Sequence, residues 1–174
     1  MATPDRQIPS IVLTGFMGTG KSTVGQVLAE RLGFAWVDTD AWIESRYGPI
    51  SEIFSANGEE AFRDLERALA VELTDRPGLV ISTGGRMMLD PEIASQLGSS
   101  NRVFCLVAGP EVVLDRVSRQ DGPPRPLLAS DRPADRIAEL MAEREEAYQR
   151  FEQVATDGKT ATEVANELEA RLRR

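Results

Sequence analysis

Residues 15–22 carry the residue types that bind phosphate groups. Their letters, GFMGTGKS, match the pattern G-x-x-x-x-G-K-[ST]. The glycines in such a segment let successive backbone N–H groups converge on phosphate oxygens at a helix N-terminus, where the helix dipole also favours negative charge. We therefore expect a nucleoside triphosphate here, with Lys21 bridging the β- and γ-phosphates and the Ser22 hydroxyl on Mg²⁺. The predicted nucleotide contacts are Gly18, Thr19, Gly20, Lys21, Ser22 and Thr23.

Two carboxylates follow the apolar run at residues 34–37. Asp38 and Asp40 come at the carboxyl end of a predicted strand, the edge at which α/β proteins usually bind ligands. With the two-residue period of a strand, both side chains are expected on one side. One can serve Mg²⁺ through its water shell, and the other can hold or deprotonate a hydroxyl group that attacks the γ-phosphate. The alternative is that Asp38 or Asp40 only caps the following helix.

A predicted helix over residues 59–73 carries opposite charges beside its apolar stripe. The stripe consists of Phe62, Leu65, Leu69 and Leu73. Glu66 falls nearly on it and Arg63 flanks it, three positions away, so the two side chains can meet. They form either a surface salt bridge, worth under about 1 kcal/mol, or part of an anion-binding site.

Arg144 occupies the middle of a second apolar stripe, which consists of Ile137, Leu140, Met141, Tyr148 and Phe151. An arginine that faces inward needs an anion, and either an internal carboxylate or a ligand between this helix and the Arg63 helix can supply it. Two arginines with planar donor forks suit a carboxylate substrate. A third candidate, Arg125, lies in a proline-rich segment, where it either swings over the phosphates or is a solvated loop residue.

The elements that must position these residues follow from the order of the apolar runs. Short runs alternate with longer segments of helical period, at residues 11–13, 34–37, 79–81 and 103–107. Such runs are typical of strands buried on both faces, so the alternation predicts a parallel α/β sheet.

Glycine, proline and aspartate mark the ends of the predicted helices. Gly33 follows one helix, and Asp90 and Pro91 cap and start another, which Gly98 is expected to end. Pro110 suits the first turn of a third helix.

Residues 119–134 have neither a helical nor a strand period. Between Arg119 and Ala134 lie four prolines and two arginines: Pro123, Pro124, Pro126, Pro133, Arg125 and Arg132. It is long enough to be a lid over a binding site. Because no linker or repeat is found, we expect one domain over residues 1–174.

Composition excludes several classes of function. The formal charge of −8 and the pI near 4.7 disfavour nucleic acid and anionic membranes as partners. The chain has no histidine, so acid–base chemistry falls to carboxylates, lysine or arginine. Its one cysteine, Cys105, lies in an apolar run and is expected to be a buried thiol. With neither a signal core nor an apolar span, we expect a cytoplasmic protein. A monomer is the simplest expectation for its oligomeric state.

The nucleotide is expected to be ATP. A GTPase would normally carry the pattern N-K-x-D to recognise guanine, and no asparagine of this chain is followed by it.

Taken together, these residues resemble the shikimate kinase family. The similar segments are GFMGTGKST at 15–23, DTD at 38–40 with Ile43 and Glu44, Gly58 and Glu59 before Phe62, Arg63 and Glu66, RPLL at 125–128, and Arg144 with Tyr148. The resemblance implies a three-layer P-loop NTPase fold with a five-stranded parallel sheet flanked by helices and a mobile lid. It also implies transfer of the ATP γ-phosphate to the 3-hydroxyl of shikimate.

The resemblance further implies a role for each acceptor-side candidate. Asp40 would hold the hydroxyl and act as base, and Arg63 and Arg144 would bind the shikimate carboxylate. Glu66 would orient Arg63. The lid arginine, Arg125, would stabilise charge on the transferring phosphoryl group.

The metal, the substrate ring and the adenine have their own implied contacts. Mg²⁺ would be held by Ser22 and Asp38. The backbone of Gly84 and Gly85 would approach the substrate ring. Adenine would stack on Arg116 or Arg119, of which we take Arg119 as the predicted contact, and the turn at residues 156–158 would lie near it.

One position departs from the family pattern. Shikimate kinases usually have three successive glycines after the third strand, whereas this chain has Gly84, Gly85 and Arg86. Arg86 either strains the backbone, or points away without effect, or adds a cation that changes which acid is accepted. The alternatives to a shikimate kinase are therefore a kinase of another small hydroxy acid and a catalytically silent ATP-binding paralogue.

Overall fold

A computed structural model describes residues 9–119 and 132–173 of the chain. In this part, a five-stranded parallel sheet is flanked by helices, which confirms the predicted α/β fold class. The strands are β1 Ile11–Thr14, β2 Ala35–Asp38, β3 Leu79–Ser82, β4 Arg102–Val107 and β5 Glu152–Ala155. The helices are α1 Lys21–Leu32, α2 Thr39–Tyr47, α3 Ile50–Thr74, α4 Pro91–Ser100, α5 Pro110–Ser118, α6 Pro133–Gln149 and α7 Ala161–Leu172, with a short 3₁₀ helix at Met87–Leu89.

The strand order β2-β3-β1-β4-β5 puts β1 at the centre of the sheet. Ile11 and Leu13 pack with residues of α1 and α7, whereas Val12, between them, packs with residues of α3 and α4. Both faces of β1 are therefore buried, which is why its side chains are all apolar up to Thr14. The carboxyl end of β1 leads directly into residues 15–20, so the phosphate-binding segment lies in the middle of the ligand-binding edge.

Most helix ends match their sequence signals. Gly33 follows α1 with φ 67°, and Asp90 caps α4 by accepting from the backbone N–H groups of Glu92 and Ile93. The prediction that Gly98 ends α4 is wrong. The helix continues to Ser100, because the side chain of Asn101 donates to the carbonyl oxygen of Leu97 at 2.9 Å and so supplies the cap.

The long helix α3 is broken at Gly58, where φ 82° and ψ 171° are not helical. Its second part therefore begins at Glu59, as the sequence pattern predicts. No helix in the described part of the chain is both long and apolar enough to cross a membrane.

Two features of the sheet differ from the sequence predictions. Strand β5 was not among the apolar runs, because in its sequence EQVA only Val154 is buried. Asp38 ends β2, but Asp40 already lies in the first turn of α2. The two-residue strand period therefore does not relate these two carboxylates, although both lie at the ligand edge of the sheet.

Candidate active site

The phosphate-binding segment folds tightly between β1 and α1. Lys21 Nζ donates to the carbonyl oxygens of Gly15 and Phe16, both at 2.9 Å. Gly15 has φ 133°, and a Cβ there would lie 2.2 Å from the carbonyl oxygen of Leu106, so a larger residue does not fit. Burial lowers the pKa of Lys21 to about 8, although the charge of Asp40 opposes this shift. Burial removes water from the ammonium group, and a bound anion would stabilise its positive charge in place of that water.

Ser22 and Asp38 form an oxygen pair at the start of α1. Ser22 Oγ donates to Asp38 Oδ2 at 2.8 Å. Asp38 Oδ1 accepts from the N–H groups of Asp40 and Ala41, so it also caps α2. Asp38 therefore caps α2 through one oxygen, and its other oxygen, which contacts Ser22, can serve a second role. Two protein oxygens suit Mg²⁺, which usually keeps several waters and binds substrate phosphates in addition.

Asp40 lies against the backbone of the loop after β3. A Cβ at Gly84 would lie 2.4 Å from Asp40 Oδ1, so this approach requires glycine. Gly84 is fixed by its N–H, which donates to Thr39 Oγ1 at 2.8 Å. Burial, helped by the negative charge of Asp38, raises the pKa of Asp40 to about 6, while Lys21 opposes the shift. A carboxylate with this pKa can accept a proton near neutral pH.

Arg63 and Glu66 form a close, largely buried ion pair. Arg63 Nη1 donates to Glu66 Oε2 at 2.6 Å, and the Glu66 side chain is only 2% exposed. Burial raises the pKa of Glu66, whereas the hydrogen bond from Arg63 lowers it. The surface salt bridge alternative is therefore wrong for this pair. Glu59 contacts the other side of Arg63 at 2.8 Å and also pairs with Arg86 at 3.1 Å.

Arg86 has φ −122°, which any residue adopts. The backbone strain that was one alternative for this position is absent, and its side chain is 55% exposed. Arg86 is therefore compatible with the fold.

Arg144 stands over the phosphate-binding segment rather than in an internal ion pair. Its guanidinium lies 5.0 Å from the centre of the Phe16 ring, and among the described residues no carboxylate is within 4.0 Å of it. Arg144 acts to lower the pKa of Tyr148, whose hydroxyl donates to the carbonyl oxygen of Gly85 at 2.5 Å. The half-buried Arg144 thus faces the same loop as Asp40. Of the two anions considered for it, the ligand is favoured.

A cavity of about 340 Å³ extends from the phosphate-binding segment to the β5–α7 turn. Its lining includes the predicted contacts Gly18, Thr19, Gly20, Thr23, Arg116 and Arg119. Arg116 donates to the carbonyl oxygens of Gly18 and Thr156, so it ties the two sides of the cavity together. Arg119 pairs with Asp115 at 2.7 Å and is mostly exposed. Both arginines remain candidates for contact with a nucleotide base.

Comparison with known proteins assigns the family. A profile described as shikimate kinase matches residues 17–173. The chain belongs to the shikimate kinase family. The shikimate kinase of Caldanaerobacter subterraneus subsp. tengcongensis is 44% identical over 162 residues, which are 91% of this chain and 93% of that protein.

Solved shikimate kinases have the same architecture. The enzyme from Acinetobacter baumannii in complex with shikimate superposes with a TM-score of 0.86 and 33% identity, covering 95% of this chain and 93% of that chain. The enzyme from Aquifex aeolicus gives a TM-score of 0.82 and 34% identity, covering 94% and 96%. Both structures support the fold described above.

The structure brings most of the predicted site residues to one edge of the sheet. The charges of Asp38 and Asp40 both act to raise the pKa of Lys21, and the charges of Asp38 and Lys21 act in opposite directions on the pKa of Asp40, so the three side chains lie close together. Arg125 and most of the predicted lid lie outside the described residues. Sequence reasoning gave no role to Thr39 or to the Tyr148 hydroxyl, and no local pattern signals either contact, because both partners are distant in the chain.

Proposed function

We propose that this chain transfers the γ-phosphoryl group of ATP to the 3-hydroxyl of shikimate. The observation that carries the proposal is the juxtaposition of Lys21 and Asp40, whose charges act on each other at the junction of the phosphate-binding segment and the Gly84 loop. Membership of the shikimate kinase family supports both the donor and the acceptor.

Each part of the acceptor, shikimate, has its own binding residues. Asp40 holds the attacking hydroxyl and takes its proton, for which its raised pKa suits it. Arg63 and Arg144 bind the carboxylate, since each presents a planar donor fork. The backbone of Gly84 and Gly85 approaches the ring. Glu66 holds Arg63 in place through the 2.6 Å hydrogen bond.

The residues that bind ATP neutralise the negative charge of its phosphates. The backbone N–H groups of residues 18–22 hold the phosphates, and Lys21 exchanges its carbonyl partners for phosphate oxygens. Ser22 and Asp38 are the residues that would hold Mg²⁺, which, when bound, neutralises charge on the β- and γ-phosphates. Arg119, and with it Arg116, borders the cavity proposed for the base.

The remaining parts of the proposal concern the chain as a whole. Arg125 stabilises charge on the transferring group from a lid at about residues 119–134. The chain is one domain over residues 1–174 and acts as a cytoplasmic monomer, without nucleic acid or membrane partners. The net charge of −8 supports the absence of polyanionic partners. Arg86 takes the place of the third glycine of the family motif.

The experiment that tests the function measures ADP release by the purified protein with Mg-ATP. Shikimate is compared with quinate, with gluconate and with no acceptor. Release that depends on shikimate supports the proposal. Release with another acid alone indicates a changed acceptor pocket. ATP binding without release that depends on any acceptor favours a silent paralogue.

A further inference from the structure

Glu59 is shared by two arginines at the rim of the acceptor site. Its Oε1 atom accepts from Arg63 Nη2 at 2.8 Å, from Arg63 Nε at 3.3 Å and from Arg86 Nη1 at 3.1 Å. One carboxylate oxygen thus receives donors from two guanidinium groups. Hydrogen bonds from Arg63 and the charge of Arg86 lower the pKa of Glu59, so it is ionised at neutral pH.

The negative charges around Arg63 weaken its attraction for an acid substrate. Arg63 contacts two carboxylates, Glu59 and Glu66, so these three side chains together carry a formal charge of −1. Asp40, which lies near enough for Arg63 to lower its pKa, adds another negative charge. A carboxylate that binds Arg63 and Arg144 would therefore lie near three negative charges, which weaken its attraction to the two arginines. The ion pair with Arg86 brings the Arg63–Glu59–Glu66 group to neutrality.

Arg63 nevertheless keeps donors for a ligand. A guanidinium has five N–H donors. The contacts to Glu59 and Glu66 use donors on Nε, Nη1 and Nη2, which leaves one N–H on each of Nη1 and Nη2. These two can bind a carboxylate through both of its oxygens. Charge compensation, rather than a lack of donors, thus limits the binding of an acid at Arg63.

We propose that Arg86 is a positioning residue that sets the affinity of this site for an acid acceptor, by holding Glu59 and cancelling its charge beside Arg63. The inference rests on the proposed function, because it assumes a carboxylate acceptor. The positive charge of Arg86 acts on both sides of the site. Burial raises the pKa of Glu66 and of Tyr148, and the charge of Arg86 opposes both shifts.

The test uses three variants of the full chain: Arg86→Gln, Arg86→Lys and the double variant Glu59→Gln/Arg86→Gln. Shikimate binding is measured by calorimetry, and kcat and KM for shikimate and ATP by ADP release. Arg86→Gln should raise the shikimate Kd and KM by about threefold to tenfold, as expected for one partly exposed charge. Its kcat and its KM for ATP should stay within about twofold of the wild type, since Arg86 does not contact the reacting groups.

The other variants separate charge from shape. Arg86→Lys keeps the charge and should restore most of the affinity. In the double variant Glu59 no longer needs compensation, so the affinity should return toward that of the wild type. The difference between the wild type and Arg86→Gln should shrink as salt is raised, because salt screens exposed charges.

Each outcome decides between the alternatives. An Arg86→Gln protein with unchanged shikimate affinity overturns the inference and leaves the proposed function intact. Equal loss for ATP and shikimate, or a double variant as weak as Arg86→Gln, also overturns it. Affinity for shikimate that depends on Arg86, without ADP release by the wild type, supports the inference and contradicts the proposed function. A wild type that does not bind shikimate contradicts both.

Discussion

The active site and the C-terminal helix α7 hold their charges in opposite ways. At the site, burial disfavours the charged forms of Asp40 and Lys21, so the pKa of the first is raised and that of the second is lowered. Along α7, hydrogen bonds favour the charged forms. Glu163 accepts from the backbone and side chain of Thr160, and this lowers its pKa.

The ion pairs of α7 continue this pattern toward its end. Glu167 accepts from Lys159 at 2.7 Å, which lowers its pKa, and Arg171 contacts Glu167 and Glu152. The charges of α7 therefore stabilise the fold, whereas those of the site cost stability and remain available to ligands. Variants in the two regions should therefore have opposite effects on activity and on stability.

The largest effect is expected for Asp40→Asn. An amide cannot take the proton of the acceptor hydroxyl, so kcat/KM should fall by about 10²-fold to 10⁴-fold. In the wild type, kcat/KM should also decrease below about pH 6, where Asp40 becomes protonated, and this decrease should be absent from the residual activity of the variant. ADP release across pH 5–9 measures both. Asp64→Asn, at an exposed carboxylate of α3, is the control and should retain activity.

The same variant should increase stability, in a way that depends on pH. The pKa of Asp40 is about 6 in the folded protein and near 3.8 when unfolded, so the protonated form favours folding and this contribution is lost as pH rises from about 4 to 6. Relative to the wild type, Asp40→Asn should therefore gain about 2 kcal/mol in the free energy of unfolding at pH 7.5 compared with pH 4. Urea titrations at both pH values measure it. A gain of equal size for Asp64→Asn would contradict this explanation.

Gly84→Ala should impair acceptor use by about tenfold to a hundredfold, because the new methyl group would displace Asp40 from its place against the loop. The effect should lie mainly on shikimate, with the KM for ATP nearly unchanged. Gly98→Ala is the matched control, since the nearest atom to a Cβ there is 4.0 Å away. If both variants had the same kinetics, the close approach of Gly84 to Asp40 would not be required for activity.

Arg171→Met tests the other side of the comparison. Arg171 joins α7 to β5 through Glu152 and through the carbonyl oxygen of Gln153, both at 3.0 Å. Its loss should reduce the free energy of unfolding by about 1 kcal/mol. Both KM values should be unchanged. Urea titration measures stability and ADP release measures activity. A fall in activity without a fall in stability would contradict a purely structural role for Arg171.

The smallest effect is expected for Gly98→Ala itself. Gly98 lies inside α4, and its conformation is not left-handed. Alanine should increase the free energy of unfolding by about 0.5 to 1 kcal/mol, because it loses less backbone entropy on folding. Urea titration measures this change. A decrease instead would show that the space near Val103 does not accept a methyl group.

Much of the fold could be predicted because its signals are local. Strands β1 to β4 are short apolar runs, and the cap at Asp90 and the glycine at Gly33 are signals within a few residues. Strand β5 was not seen among those runs because only Val154 is buried in it. The end of α4 was misplaced because the cap comes from the side chain of Asn101, which replaces a glycine signal.

The site divides in the same way. The phosphate-binding segment is contiguous, and Arg63 and Glu66 are three residues apart, so both could be predicted from spacing. The contact of Gly84 with Asp40 joins a loop to the first turn of α2, far apart in the chain, and the pairing of Arg86 with Glu59 joins two elements. Such contacts depend on how α2 and α3 pack on the sheet, which no local pattern specifies.

The central position of β1 has a consequence for how such an enzyme can change. Asp40, Arg63 and Gly84 belong to elements on the β2–β3 side of β1, and the cavity proposed for the base lies on the β4–β5 side. Arg144, on α6, is the proposed acceptor contact on the second side. Substitutions can therefore accumulate around Asp40, Arg63 and Gly84 while the residues around the cavity stay unchanged, so one scaffold can diverge toward new acceptors and keep its phosphate donor.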